Sequence, residues 1–345
     1  MTIVPTSTAV LPLPQGLEQA VYTTPYLREP FAATLNGERA VTIPPGEALV
    51  DATQQYVASL RRAFAPLPSS SETQAQQPWT SVTASELIVR DIRSGATVAD
   101  WSTNGVILPR VVLTLDSLLF ISAPDASTPM LGVYALRISS GVVDEILPAD
   151  RFRGYLIASR ARDRIAVTER QLGGASEVVR VVGLADSSET LYGALEGRPA
   201  FVSRDTLITH DDNHIFGYRS PAELVWTVDD TCLSQGYVTT DETRFVARTG
   251  PTSMPYLAEL SDVSRKPAIM VVDLDKGTAA VVARWDVGRA FLMADVSTDS
   301  IAVLSMPDWP NRGEFPISLL DLSTAQFSED AYTVTAPPVL QPTFP

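Results

Sequence analysis

The sequence predicts an all-β chain built from repeated four-stranded antiparallel units, and three observations carry that prediction. A short apolar strand, a polar turn with an aspartate and a second short apolar strand recur five times between Arg110 and Ser305. A second kind of hairpin strand, a run of β-branched and long apolar residues ending in a small polar turn, interleaves with the first. The 26 prolines and 19 glycines are spread along all 345 residues, as many short strands and turns require.

The first repeat reads RVVLTLDSLLFISA from Arg110, GYLIASRARDRIAVTE from Gly154, AFVSRDTLITH from Ala200, GYVTTDETRFVAR from Gly236 and AFLMADVSTDSIAVLS from Ala290. Its turn aspartates, Asp116, Asp163, Asp205, Asp241 and Asp299, recur at roughly 36 to 58 residues, the length of one compact supersecondary unit. The second repeat supplies ELIVRDIRSG from Glu86, VYALRISSG from Val133, EVVRVVGLADSS from Glu177, HIFGYRSP from His214, IMVVDLDKG from Ile269 and ISLLDLSTA from Ile317. Four strands per unit follow. Such a unit has too little core to stand alone, so the units must stack face to face. Gly154, Gly197, Gly236 and Gly288 each precede a first strand and are read as tight turns. Strand alternation puts the aspartate turns and the Gly-type turns on one face and the His210 to His214 connection on the other. Val112, Ile157, Val202, Val238 and Leu292 are expected to be buried in the opening strands.

This arrangement resembles the WD-repeat and YVTN-like β-propellers over roughly residues 30 to 335. Trp285-Asp286 is the single WD dipeptide, and Trp101 and Trp226 hold a similar strand-end place without the following Asp. The resemblance implies radial closure and no one functional family. The Asn36-Gly37 signal marks a hairpin over Phe31 to Ile43. Paired with Glu86 to Trp101, that hairpin gives six blades, the favoured count. As part of a blade of its own, completed from the N-terminus and the segment after Asp330, it gives seven.

One segment reads as helical. Within an insertion at 44–83, Leu49, Ala52, Tyr56, Leu60 and Phe64 fall on one stripe, predicting an amphipathic helix over 46–65 followed by a polar linker. The stripe either packs on the propeller or docks on a partner, and Trp309 in the MPDWPNRGEFP loop is a second candidate partner contact. Residues 1–29 form a Pro-rich arm and 336–345 a Pro-rich tail.

A net charge of −14 and a pI near 4.6 argue against nucleic acid as a partner. The cations are nearly all arginine, only Lys266 and Lys276 being lysine. Cys232 is the single cysteine, so no intramolecular disulfide framework is expected. The first residues lack a basic n-region and a continuous apolar h-region, and no apolar run is long enough to span a bilayer. Cytoplasmic synthesis without a signal peptide and no membrane insertion are expected, with a virion or another assembled particle among the destinations.

Catalytic motifs are sparse: the chain holds no G-x-S-x-G, no P-loop, no H-E-x-x-H and no paired C-x-x-C. The one candidate centre is THDDNHIFG, where His210, Asp212 and His214 could hold zinc or manganese; the same Asp-Asp-Asn is also ordinary turn chemistry. Asp273 to Gly277 reads as a hairpin turn, since an EF-type loop would need a Glu where Arg284 stands. Two functions remain. The favoured one is a non-enzymatic propeller, without cofactor, serving as an interaction platform for protein partners in an assembly. The alternative is a metal-dependent, lactonase-like hydrolase.

Overall fold

The structure, a computed structural model, describes residues 30–34, 40–64, 82–123, 130–170, 177–193, 195–211, 213–219, 223–229, 233–239, 241–249 and 268–284, together with 3–5, 21–23, 290–297, 300–306, 314–321, 324 and 326–335. Among these, every regular element is a β-strand. After β1 (Ile3–Pro5) comes a three-stranded sheet of β2 (Val21–Thr23), β3 (Phe31–Thr34) and β4 (Ala40–Thr42). A four-stranded sheet follows, of β5 (Glu47–Ala52), β6 (Tyr56–Phe64), β7 (Val82–Asp91) and β8 (Thr97–Thr103).

The next sheet joins β9 (Ile107–Leu113), β10 (Ser117–Ser122), β11 (Leu131–Arg137), β12 (Val143–Ala158), β13 (Arg164–Arg170), β14 (Glu177–Gly183) and β15 (Glu189–Gly193). Its 16-residue β12 serves two four-stranded halves, with Val143 to Leu147 against β11 and Leu156 to Ala158 against β13. Two four-stranded sheets follow: β16 (Arg198–Val202), β17 (Leu207–His210), β18 (Ile215–Arg219) and β19 (Glu223–Val228), then β20 (Leu233–Val238), β21 (Arg244–Thr249), β22 (Ala268–Asp273) and β23 (Ala279–Arg284). The last sheet holds β24 (Ala290–Ser297), β25 (Ser300–Met306), β26 (Glu314–Asp321) and β27 (Gln326–Thr335), with β1 added outside β27 through Ile3 opposite Val334. Strand β2 lies beside β24, so the first strands of the first and last sheets meet.

The cores lie between successive sheets. Ala58, Leu60, Leu87 and Val89 of one sheet interlock with Val111, Leu113, Leu118 and Phe120 of the next. Ile165 and Val182 pack on Leu119 and Val133, Leu207 and Phe216 on Ala166 and Val179, and Ile208 and Trp226 on Phe245 and Met270. A middle strand is therefore covered on both faces. That is why β10 and β13 are almost continuously buried, with apolar runs Leu118–Ile121 and Ile165–Val167, whereas outer β8 and β15 alternate. Fully buried Phe120 lies 4.9 Å from the Trp101 ring and 5.7 Å from that of Tyr134, so truncation to alanine would cost about 3–5 kcal/mol.

Three expectations are corrected. The predicted helix over 46–65 is the hairpin β5–β6, with Glu47 opposite Arg61 and Ala52 opposite Val57. Leu60 is buried against Leu87 and Leu113, while Leu49 and Tyr56 are partly buried against neighbouring cores. Phe64 alone of the stripe is largely exposed, at 57%. The helical spacing misled because Val57 to Leu60 are buried without interruption, and an uninterrupted buried run lacks the alternation that marks a strand. Secondly, Phe31 to Ile43 does not pair with Glu86 to Trp101. It forms its own sheet with β2, and β7–β8 continue β5–β6. Thirdly, Gly154 and Gly236 lie inside β12 and β20 rather than in turns, while Gly197, at φ +74°, is a turn glycine. The burial expected of the opening strands holds for Val112, Val202 and Val238, while Ile157 is only partly buried; the Leu292 side chain lies outside the described residues.

Candidate functional site

First strands of successive units stand side by side: β5 touches β9, β9 touches β12, β12 touches β16 and β16 touches β20. Together they line a central cavity of about 260 Å³ with Val111, Val112, Ala158, Phe201, Val202 and Val238 as walls. Gly236 also faces it; a Cβ there would lie 2.5 Å from Phe245 and 2.8 Å from Phe201, so glycine lets both rings close in. Asp51, Ser159, Arg160 and Arg162 give the cavity its polar side.

The turns joining first to second strands are closed by a side-chain hydroxyl. Tyr56 N donates to Thr53 Oγ1 at 3.1 Å, Ser117 N to Thr114 Oγ1 at 2.9 Å, Arg164 N to Ser159 Oγ at 3.2 Å, Thr206 N to Ser203 Oγ at 3.1 Å and Arg244 N to Thr239 Oγ1 at 3.1 Å. The aspartates singled out from sequence assist: the hydroxyls of Ser159 and Thr239 donate to Asp163 and Asp241 at 2.7 and 2.6 Å. Burial pushes the Asp241 carboxyl up, but bonds from Thr239 and Thr243 hold it below its ordinary value.

These turns share one face with the Gly-type turns, as expected. Ile92 N donates to Gln55 O, Ile138 N to Asp116 O, Leu184 N to Asp163 O and Leu274 N to Thr243 O, each at 2.8–2.9 Å. The β17–β18 connection with His210 and His214 lies at the opposite strand ends.

Polar contacts tie neighbouring units together at the cavity mouth. Asp51 Oδ2 accepts from Leu113 N at 2.7 Å and from Arg162 Nη1 at 3.0 Å, so one carboxylate joins three units. Arg164 donates to Arg204 O, and Arg204 N donates to Glu242 Oε2, both at 2.5 Å. Arg162 and Glu242, at φ 57° and 56°, hold the same place in their turns and adopt left-handed backbone without being glycine. Burial, reinforced by nearby Asp163, pushes the Glu242 carboxyl up.

At the opposite face, Asp211 Oδ1 accepts from Asn213 N and His214 N, both at 2.7 Å, and lies 3.0 Å from His214 Nδ1. These bonds hold the Asp211 carboxyl low and make it a turn cap. Asp212 and Trp309 lie outside the described residues, and among those described no group of three His, Cys, Asp or Glu gathers around a metal-sized space. The hydroxyl of the turn and the cross-unit role of Asp51 escaped sequence reasoning. A Ser or Thr two to four residues before each turn aspartate was the available signal.

No protein-family model matches the chain, and no curated protein does. The solved structures it resembles are propeller proteins. The fold is a β-propeller. Prolyl oligopeptidase B from Galerina marginata is 11% identical with a TM-score of 0.52, covering 93% of this chain but 51% of the oligopeptidase chain. Hsv2 from Kluyveromyces lactis is 10% identical with a TM-score of 0.50, over 88% of this chain and 91% of that one. At these identities the likeness is one of propeller fold alone. Among the described residues no helix is long and apolar enough to cross a membrane.

Proposed function

We propose that this chain is a non-enzymatic propeller of seven units, the three-stranded β2–β4 sheet counting as one, that serves as an interaction platform in a multiprotein assembly. Its contact surface is the face around the cavity mouth. One observation carries the reading: Leu115, at the tip of the β9–β10 turn, is 86% exposed, the most exposed of the large apolar side chains described. The turn beneath it is rigid, since Thr114 N donates to Ser117 O at 2.8 Å and the Thr114 hydroxyl accepts Ser117 N. A fixed apolar anchor on the same face as charged turn residues, here Arg162, Arg164, Arg204 and Glu242, has the make-up of a protein contact with polar surroundings.

The test is Leu115→Asp compared with wild type in cells of the source organism. The platform reading expects the wild-type chain to migrate in a discrete complex and the variant to migrate as the free chain, with an unchanged melt. Equal migration of the two would refute it.

A further inference from the structure

Within the platform reading, on which this rests, we propose that a partner at the cavity-mouth face is a second copy of this chain, Leu115 of each copy entering the central cavity of the other. The cavity lies at the turn end of the molecule. Its lining includes Asp51 of β5, Val111 and Val112 of β9, Ala158 of β12, Val202 of β16 and Val238 of β20, each within two residues of its strand's end. An apolar hole of about 260 Å³ therefore sits beside the turns, with room for a four-carbon side chain and part of the turn that carries it.

Leu115 and that hole share one small area. The leucine follows the wall residue Val112 by three positions, so chain geometry keeps the two within about 11 Å. Its turn is pinned from both sides, Ser117 N on the Thr114 hydroxyl at 2.9 Å and Ile138 N on Asp116 O at 2.8 Å, so the side chain is presented at little ordering cost. Other exposed large apolar residues, Val98, Leu191, Leu224 and Val281 among them, stand on the outer strands β8, β15, β19 and β23. A protruding apolar side chain and an apolar hole on one face of the same chain are self-complementary. A two-fold axis between them sets each leucine over the partner's hole, and the contact closes at two copies. Exposed groups of both signs adjoin on these turns, Asp116 on one and Arg204 beside Asp205 on another, so two apposed copies can set guanidinium against carboxylate although each chain carries −14.

Sedimentation equilibrium of the purified wild-type chain at about 100 μM should give twice the 37.2 kDa of one chain. Leu115→Asp, which removes the protruding side chain, and Ala158→Phe, which fills the hole, should each weaken self-association about a hundredfold or more. Mixed one to one, the two variants should associate more tightly than either does alone, because the intact leucine of one meets the intact hole of the other. Misfolding of either variant cannot produce that rescue. A wild-type chain that sediments as a monomer overturns the proposal without reference to any variant. So does a Leu115→Asp chain that still dimerises, or a mixture that associates no better than its components. A monomeric wild type whose complex in cells is nevertheless lost on Leu115→Asp would overturn the self-association and leave the platform standing on a different partner.

Discussion

Asp51 and Arg162, 111 residues apart in sequence, meet at 3.0 Å across the mouth of the central cavity. The contact matters because the same Asp51 oxygen also accepts Leu113 N, so two first strands and the β12–β13 turn, from three successive units, are fastened at one atom. Both side chains are about a quarter exposed, at 24% and 29%, which limits the ion pair to a modest share of the stability. Asp51→Ala should therefore cost about 1–3 kcal/mol, mostly through the amide of Leu113 left without its acceptor. Asp51→Asn, which keeps an acceptor, should cost about half as much, and urea denaturation of the two variants measures the difference.

A deeper ion pair governs the acid limit. Glu47, with its side chain fully buried, takes two bonds from Arg90 at 2.7 and 3.0 Å, one from the Ser59 hydroxyl at 2.5 Å and one from Arg61 at 2.8 Å. Burial pushes the Glu47 carboxyl up, and these bonds more than offset it, holding it below its ordinary value. A depressed carboxylate contributes stability that is present above its unfolded pKa and lost as pH falls through the folded one. Glu242 runs the other way, because its raised carboxyl makes ionisation costly as pH rises past the usual range. Denaturation midpoints should fall between about pH 5 and about pH 3. Glu47→Ala should lose roughly 3–5 kcal/mol at neutral pH, since Arg90 stays buried without its partner.

The turn hydroxyls can be tested one unit at a time. Thr239→Val removes the acceptor of Arg244 N and the donor to Asp241 while keeping the shape, and should cost about 1–2 kcal/mol. Thr239→Ser restores both bonds and should melt close to wild type.

Much of this architecture was legible in the sequence, because turn chemistry repeats wherever the fold repeats. Asp116, Asp163 and Asp241 sit in the turns where their spacing placed them, and the two turn families share a face. The segment from Glu47 to Phe64 was misread for a physical reason: sandwiched between two sheets, Val57 to Leu60 show no alternation, while Leu49, Tyr56, Leu60 and Phe64 fall at helical spacing by coincidence. Thr53 was the clue missed there, since it closes its turn as Thr114 and Thr239 close theirs. The cavity was not legible because its lining comes from five first strands far apart in sequence, and no local pattern records that Asp51 will face Arg162.

The two histidines offer a separate check. With the Asp211 carboxylate bonded to Asn213 N, His214 N and the His214 ring, purified protein should carry no stoichiometric zinc or manganese. His214→Ala should leave the metal content unchanged. One equivalent of zinc that disappears in that variant would favour the hydrolase.

Whether the cavity-mouth face is the working surface is decided most directly by a photo-crosslinker placed at Leu115 and, separately, at Asn213 on the opposite face. Irradiation in cells of the source organism should give an adduct of one discrete mass from position 115 and none from position 213. Adducts from 213 alone, or equally from both positions, would contradict the assignment of that face.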